Sequence, residues 1–111
     1  MSDWHHAPPH RFQDAKSVYF VTGATYGRKH IFCSRDRLNS LRSRLFVQAE
    51  KHECWLQAWS LFPNHYHLVA SADGEQLHAM LSRLHSESAI EMNQIDETAG
   101  RKVWFSFARR N

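Results

Sequence analysis

Cysteine is scarce in this chain: Cys33 and Cys54 are the two in 111 residues, and they form no CxxC pair. Free thiols in a cytoplasmic protein are therefore the expectation, with no disulfide framework to build on. No apolar run approaches the length of a membrane span. The start, MSDWHHAPPHRF, lacks the charged-then-apolar pattern of a signal peptide. There is no internal repeat, no low-complexity tract and no linker that would divide two domains. Tyrosine is rare as well, with Tyr19, Tyr26 and Tyr66 the three present. Neither sign of charge dominates, since 14 Lys and Arg face 11 Asp and Glu for a net charge of +3.

What remains is an ordinary globular composition, 42% hydrophobic and 23% charged, at the size of one small domain. The charge is unevenly spread. Residues 1–50 hold eight Lys and Arg against four Asp and Glu, and residues 51–111 hold six against seven. The basic half suits a polyanion, because Lys and Arg displace counterions from phosphates. Residues 1–15 show no periodicity, and Pro8-Pro9 favours an extended course, so they read as an arm, either a loosely held tail or a nucleic-acid contact with Arg11 as the candidate residue.

From residue 16 onward the pattern predicts an α+β domain. Ser17 to Ala24 is β-branched and aromatic and reads as a strand; Gly27 makes a turn, and His30-Ile31-Phe32 reads as a short second strand. Ser34 can cap a helix from about Arg35 to His52, with Leu38, Leu41, Leu45 and Ala49 at helical spacing. Cys54 to Leu61 resumes a strand, with Trp55, Gln57, Trp59 and Leu61 on one side. Phe62-Pro63-Asn64 makes the turn, and His65 to Ser71 returns antiparallel. A second helix follows from roughly Glu75 to Ile95, with Leu77, Leu81, Leu84, Met92 and Ile95 as its apolar stripe and His78, Ser82 and His85 beside it. Lys102 to Phe107 reads as the last strand. Both helices can pack on one face of an antiparallel sheet, which makes a ferredoxin-like or RRM-like sandwich with the other face open.

Two histidines stand out in WSLFPNHYHLVAS. Side chains alternate along a strand, so His65 and His67 share one face and Tyr66, Leu68 and Ala70 share the other, the core side. Imidazoles at i and i+2 can converge on one metal ion. A pair of half-exposed surface histidines with no ligand is the plainer alternative.

The string Pro63-Asn64-His65-Tyr66-His67-Leu68 resembles the His-hydrophobic-His signature of the HUH single-strand nucleases, in the form found in single-tyrosine transposases, the REP-associated kind included. The arm WHHAPPHRF, the first strand YFVTGATYGRKHIF, the tryptophan-rich LQAWSLFPNHYHLVA and the later GRKVWF resemble the same family in the same order. The resemblance implies the sandwich fold, single-stranded or hairpin DNA as partner, and Mg²⁺ or Mn²⁺ held by His65 and His67 with a third, oxygen-donating ligand. In that family the metal polarises a phosphoryl oxygen and a tyrosine attacks phosphorus. Arg28 and Lys29, next to Gly27, and the His78/Ser82/His85 helix face are the candidate DNA contacts beside Arg11. A homodimer that exchanges the tyrosine helix is compatible with the resemblance, and no membrane contact is implied.

The resemblance stops just after Trp104. The family's nucleophilic tyrosine lies on a helix beyond the strand at Lys102–Phe107, and FSFARRN departs from that pattern. The expectation is a transposase domain over residues 16–111 that is incomplete at its C-terminal end, with Tyr26 as the remote substitute for the nucleophile. Two other classes compete: a ferredoxin-like module that binds single-stranded nucleic acid without chemistry, and a metal-dependent hydrolase of small substrates.

Overall fold

The computed structural model describes residues 16–111; the arm and Arg11 lie outside them. The order is β1 (Ser17–Thr25), a 3-10 turn (Tyr26–Arg28), α1 (Arg35–Lys51), β2 (Trp55–Phe62), β3 (His65–Ala72), α2 (Gly74–Ile95) and β4 (Trp104–Arg110). The four strands form one sheet in the order β2-β3-β1-β4, and every neighbouring pair is antiparallel. This is the predicted α+β sandwich. Among the described residues no helix is long and apolar enough to cross a membrane.

Each helix starts where a side chain can satisfy its free amides. Ser34 Oγ accepts from the Arg37 amide at 3.2 Å, and Asp73 Oδ2 accepts from the Gln76 amide at 3.2 Å. Asp36 and Glu75 in the first turns add the sign the helix dipole favours. The helices bury Leu41, Leu45, Ala49, Leu77, Leu81, Leu84 and Met92 against Val21, Tyr66, Leu68 and Ala70 of the central strands. The other face of those strands, carrying Thr22, His67 and Val69, is left uncovered by helices, as alternation requires.

Three local expectations differ from the structure. His30-Ile31-Phe32 is not a strand. The Phe32 amide donates to the Pro63 carbonyl at 3.1 Å and Arg37 Nη1 to the Ile31 carbonyl at 2.9 Å, so this backbone is fastened by the turn and a side chain rather than a ladder. Its apolar residues plug the core from a loop, Phe32 completely buried and set 5.2 Å from the Trp104 ring. In β2 the register shifts between Leu56 and Ala58. That bulge at Gln57 reverses the strict alternation, placing Leu56, Trp59 and Leu61 opposite the core residues Ala70, Leu68 and Tyr66. Finally, Ile95 is 52% exposed, while Met80 and Ser88 complete the buried stripe of α2.

Candidate nucleic-acid and metal site

The β2–β3 turn sits at a corner where several segments are tied together. The Thr25 amide donates to the Asn64 carbonyl at 3.0 Å, the Phe32 amide to that of Pro63, and the Tyr26 amide to that of Val103 at 2.8 Å. Thr25 is almost wholly buried, and its hydroxyl donates to the Lys29 carbonyl at 2.7 Å. The corner holds the first residue of β3, His65, in a fixed place.

His65 and His67 emerge from the open face with ring centroids 5.1 Å apart and planes at 78°. Phe62 stacks on His65 at 4.6 Å and 12°, so an aromatic wall stands on one side of the pair. His65 Nδ1 lies 2.8 Å from Asn64 Oδ1, which can only accept, so Nδ1 carries the proton and Nε2 keeps its lone pair. Asn64 is oriented in turn by donating Nδ2 to the Arg28 carbonyl at 3.3 Å. His67 Nδ1 lies 3.3 Å from the Thr22 hydroxyl across the sheet. Burial, then the neighbouring His67 and then Arg28, lower the pKa of His65 below its ordinary value. That keeps the ring neutral at pH 7, the form that binds a metal.

Other sequence-predicted residues fall in different places. Arg28 is exposed at the rim close enough to act on His65, and Lys29 is exposed beside it. His78 and Ser82 are exposed on α2, in the helix layer, so they do not join the histidine pair; His78 lies edge-on to Phe107 at 5.5 Å. His85 is half-buried and turns toward the sheet. Its ring stacks on Trp104 at 4.3 Å, meets Phe107 at 5.3 Å, and places Nε2 2.7 Å from the Tyr66 hydroxyl. Burial lowers its pKa to about 4 and raises that of Tyr66, so both are neutral at pH 7 and the phenol can donate to an unprotonated Nε2.

Of the tyrosines, Tyr66 faces the core as strand alternation predicts, and its ring lies over Gly23, where a Cβ would come within 2.6 Å of its hydroxyl. Tyr19 is partly buried in the helix layer under the Arg109 guanidinium. Tyr26 is exposed at the histidine end of β1, its ring 6.4 Å from that of Phe105 and under the Lys102 ammonium.

Sequence reasoning missed the second layer of this site. Asn64 is adjacent to His65 and was legible as a partner. Thr22 was not, because its position opposite His67 depends on the register of β1 against β3. Among the described residues no group of three or more His, Cys, Asp or Glu could hold a metal ion.

No protein-family model matches this sequence, and no curated protein matches it. Solved structures do match. A "putative transposase" from Deinococcus radiodurans R1 superposes with a TM-score of 0.68 at 19% identity, covering 86% of this chain and 78% of that one. This chain shares that protein's fold. A second structure, a REP-associated tyrosine transposase bound to a REP hairpin, superposes with a TM-score of 0.57 at 16% identity over 84% of this chain. The chain spans about half of that protein, 54% of its length. At these identities the transposase likeness is one of fold, and the site's chemistry rests on the residues themselves.

Proposed function

We propose that this chain is the DNA-handling domain of a single-tyrosine, HUH-type transposase, in which His65 and His67 hold Mg²⁺ or Mn²⁺ against a phosphate of single-stranded or hairpin DNA. The observation that carries this reading is the pair itself: two imidazoles side by side on the uncovered face of a central strand, one with its metal-binding nitrogen freed by Asn64. The transposase fold and the Pro-Asn-His-Tyr-His string support it.

The donor set fits a cation whose remaining positions are filled by water and a phosphate oxygen. Two nitrogens alone favour softer metals, so an oxygen ligand from the DNA completes the preference for Mg²⁺ or Mn²⁺. When bound, such an ion polarises the phosphoryl oxygen. The residues themselves orient the strand. Asn64 fixes the His65 ring, Thr22 contacts His67, and Arg28 and Lys29 bring positive charge to the same end of the sheet. The hydroxyls of Tyr66 and Tyr19 lie in the helix layer, away from the pair, so neither serves as nucleophile.

Titrating Mn²⁺ by electron paramagnetic resonance, with and without a hairpin oligonucleotide, tests the assignment. The expected result is weak binding that tightens when DNA is present and disappears in the His65→Ala, His67→Ala double variant. Equal Mn²⁺ binding by both proteins would remove the metal assignment.

The second reading, a single-stranded nucleic-acid module without strand chemistry, is favoured by the placement of Tyr19 and Tyr66. It predicts DNA binding that is indifferent to Mn²⁺ and to the double variant.

A further inference from the structure

Phe20 is 55% exposed, yet it lies on β1, an inner strand paired on both sides. Nothing in the fold requires an aromatic ring there; a threonine such as Thr22 would satisfy the same ladder. The cross-strand partners of Phe20 are Val69 on β3 and Arg110 on β4, and Val18, two residues back on the same face, is 41% exposed. The face therefore carries an apolar platform with a guanidinium at its edge.

The charge on this face is one-sided. The strand residues that share it include His65, His67, Phe62, Ser60, Ala58, Thr22, Ser106, Ala108 and Arg110, and no Asp or Glu. The carboxylates of Glu87, Glu91 and Asp96 belong to the opposite layer, where Arg44, Arg83, Arg37 and Arg101 pair with them. A partner that is apolar and planar in one part and anionic in another fits the open face. A nucleotide is such a partner.

The register sets the spacing. Thr22 pairs with His67, and Phe20 with Val69, so Phe20 lies one row further along the face than the histidine row. Two strand residues rise roughly 7 Å, close to the reach of one extended nucleotide. We infer that Phe20 is a stacking platform for a base of single-stranded DNA, the nucleotide adjoining the phosphate at His65 and His67, with Arg110 against its backbone. This rests on the reading of the histidine pair as the phosphate site. Stacking on an aromatic face tolerates any base, so Phe20 adds affinity without sequence choice.

The test is fluorescence anisotropy of a labelled single-stranded oligonucleotide with the full chain, scanned with one abasic position at a time. Phe20→Leu keeps apolar bulk without a π-face, and Phe20→Tyr keeps the π-face. The expected result is about a tenfold loss for Phe20→Leu and near-native affinity for Phe20→Tyr. One abasic position should weaken wild type by a similar factor and Phe20→Leu no further. Mn²⁺ binding should be unchanged in Phe20→Leu. Native affinity in Phe20→Leu, or an abasic penalty equal in both proteins at every position, would overturn the platform while leaving the metal assignment to its own test. A wild-type chain that fails to bind single-stranded DNA would overturn both. If Phe20→Leu instead breaks a dimer with DNA affinity intact, the face joins two copies and the inference is refuted.

Discussion

Acid should weaken this protein chiefly through one ring, His85, with His65 adding a smaller share of the same sign. An ordinary histidine titrates near 6.5, and burial among Trp104, Phe107 and Tyr66 lowers His85 to about 4. Between those values the unfolded chain takes up a proton that the folded chain refuses. Stability is therefore fully present above pH 6.5 and falls as pH falls, by about 1.4 kcal/mol per pH unit. Across the whole shift the loss is about 3 kcal/mol, a large share of the 5–15 kcal/mol that holds a typical domain together. Asp96, which Arg37 and then Arg101 hold down to about 2, loses its contribution mostly below this window. The assay is urea unfolding followed by far-ultraviolet circular dichroism at a series of pH values from 7 down to 4. His85→Gln keeps a hydrogen-bonding partner for the Tyr66 hydroxyl and removes the titration. It should be less stable at pH 7, because the stack on Trp104 is lost, but should have a flatter curve. A wild-type curve that is flat across the window, or a His85→Gln curve of the same slope, would refute the assignment of the acid sensitivity to this ring.

Reversing Arg28 and Lys29 to Glu should weaken single-stranded DNA binding at low salt and flatten its salt dependence, read from anisotropy at increasing NaCl; unchanged affinity would place the DNA elsewhere. Gly23→Ala sets a methyl into the Tyr66 ring, which is buried and bonded to His85, so calorimetry or urea melts should show a loss of about 1–3 kcal/mol. Tyr66→Leu should relieve part of that cost in the double variant. Incubated with labelled hairpin DNA and Mn²⁺, the chain should show no covalent band on denaturing gels. A band that vanishes in Tyr26→Phe would make Tyr26 a nucleophile and overturn that expectation.

The two central strands were readable because their chemistry repeats with period two. Val21 and Leu68 had to face inward together, and His65 and His67 outward, whatever the neighbours did. The helices were readable from Ser34 and the leucine spacing for the same reason: capping and periodicity are local. What failed depended on a partner. The bulge at Gln57 is set by pairing with β3, where Gln57 reaches Ser71 Oγ at 2.5 Å, and nothing in WLQAWSLF announces it. Ile31 and Phe32 have strand-forming side chains but no place beside the strand they follow, since β3 and β4 flank β1 on both sides. His85 borders the leucine stripe on a helical wheel and so reads as a flank residue. Only the closeness of Trp104 and Tyr66 turns it inward, and both arrive from distant segments.

The bulge in β2 also bears on how this chain meets others. β2 is an outer strand, and Trp59 on it is 40% exposed, packed edge-on against Phe46 at 5.5 Å. A straight, apolar outer strand is a template on which a stranger's strand can add, the first step toward fibrous aggregates. Where the ladder shifts between Leu56 and Ala58, the donors and acceptors on the outer side lose their regular repeat. An incoming strand can zip along Ala58 to Phe62 and then loses step, which leaves it too short a run to hold. The irregularity that sequence patterning could not foresee thus acts as a guard, letting two tryptophans sit at the rim of a sheet without making that rim adhesive.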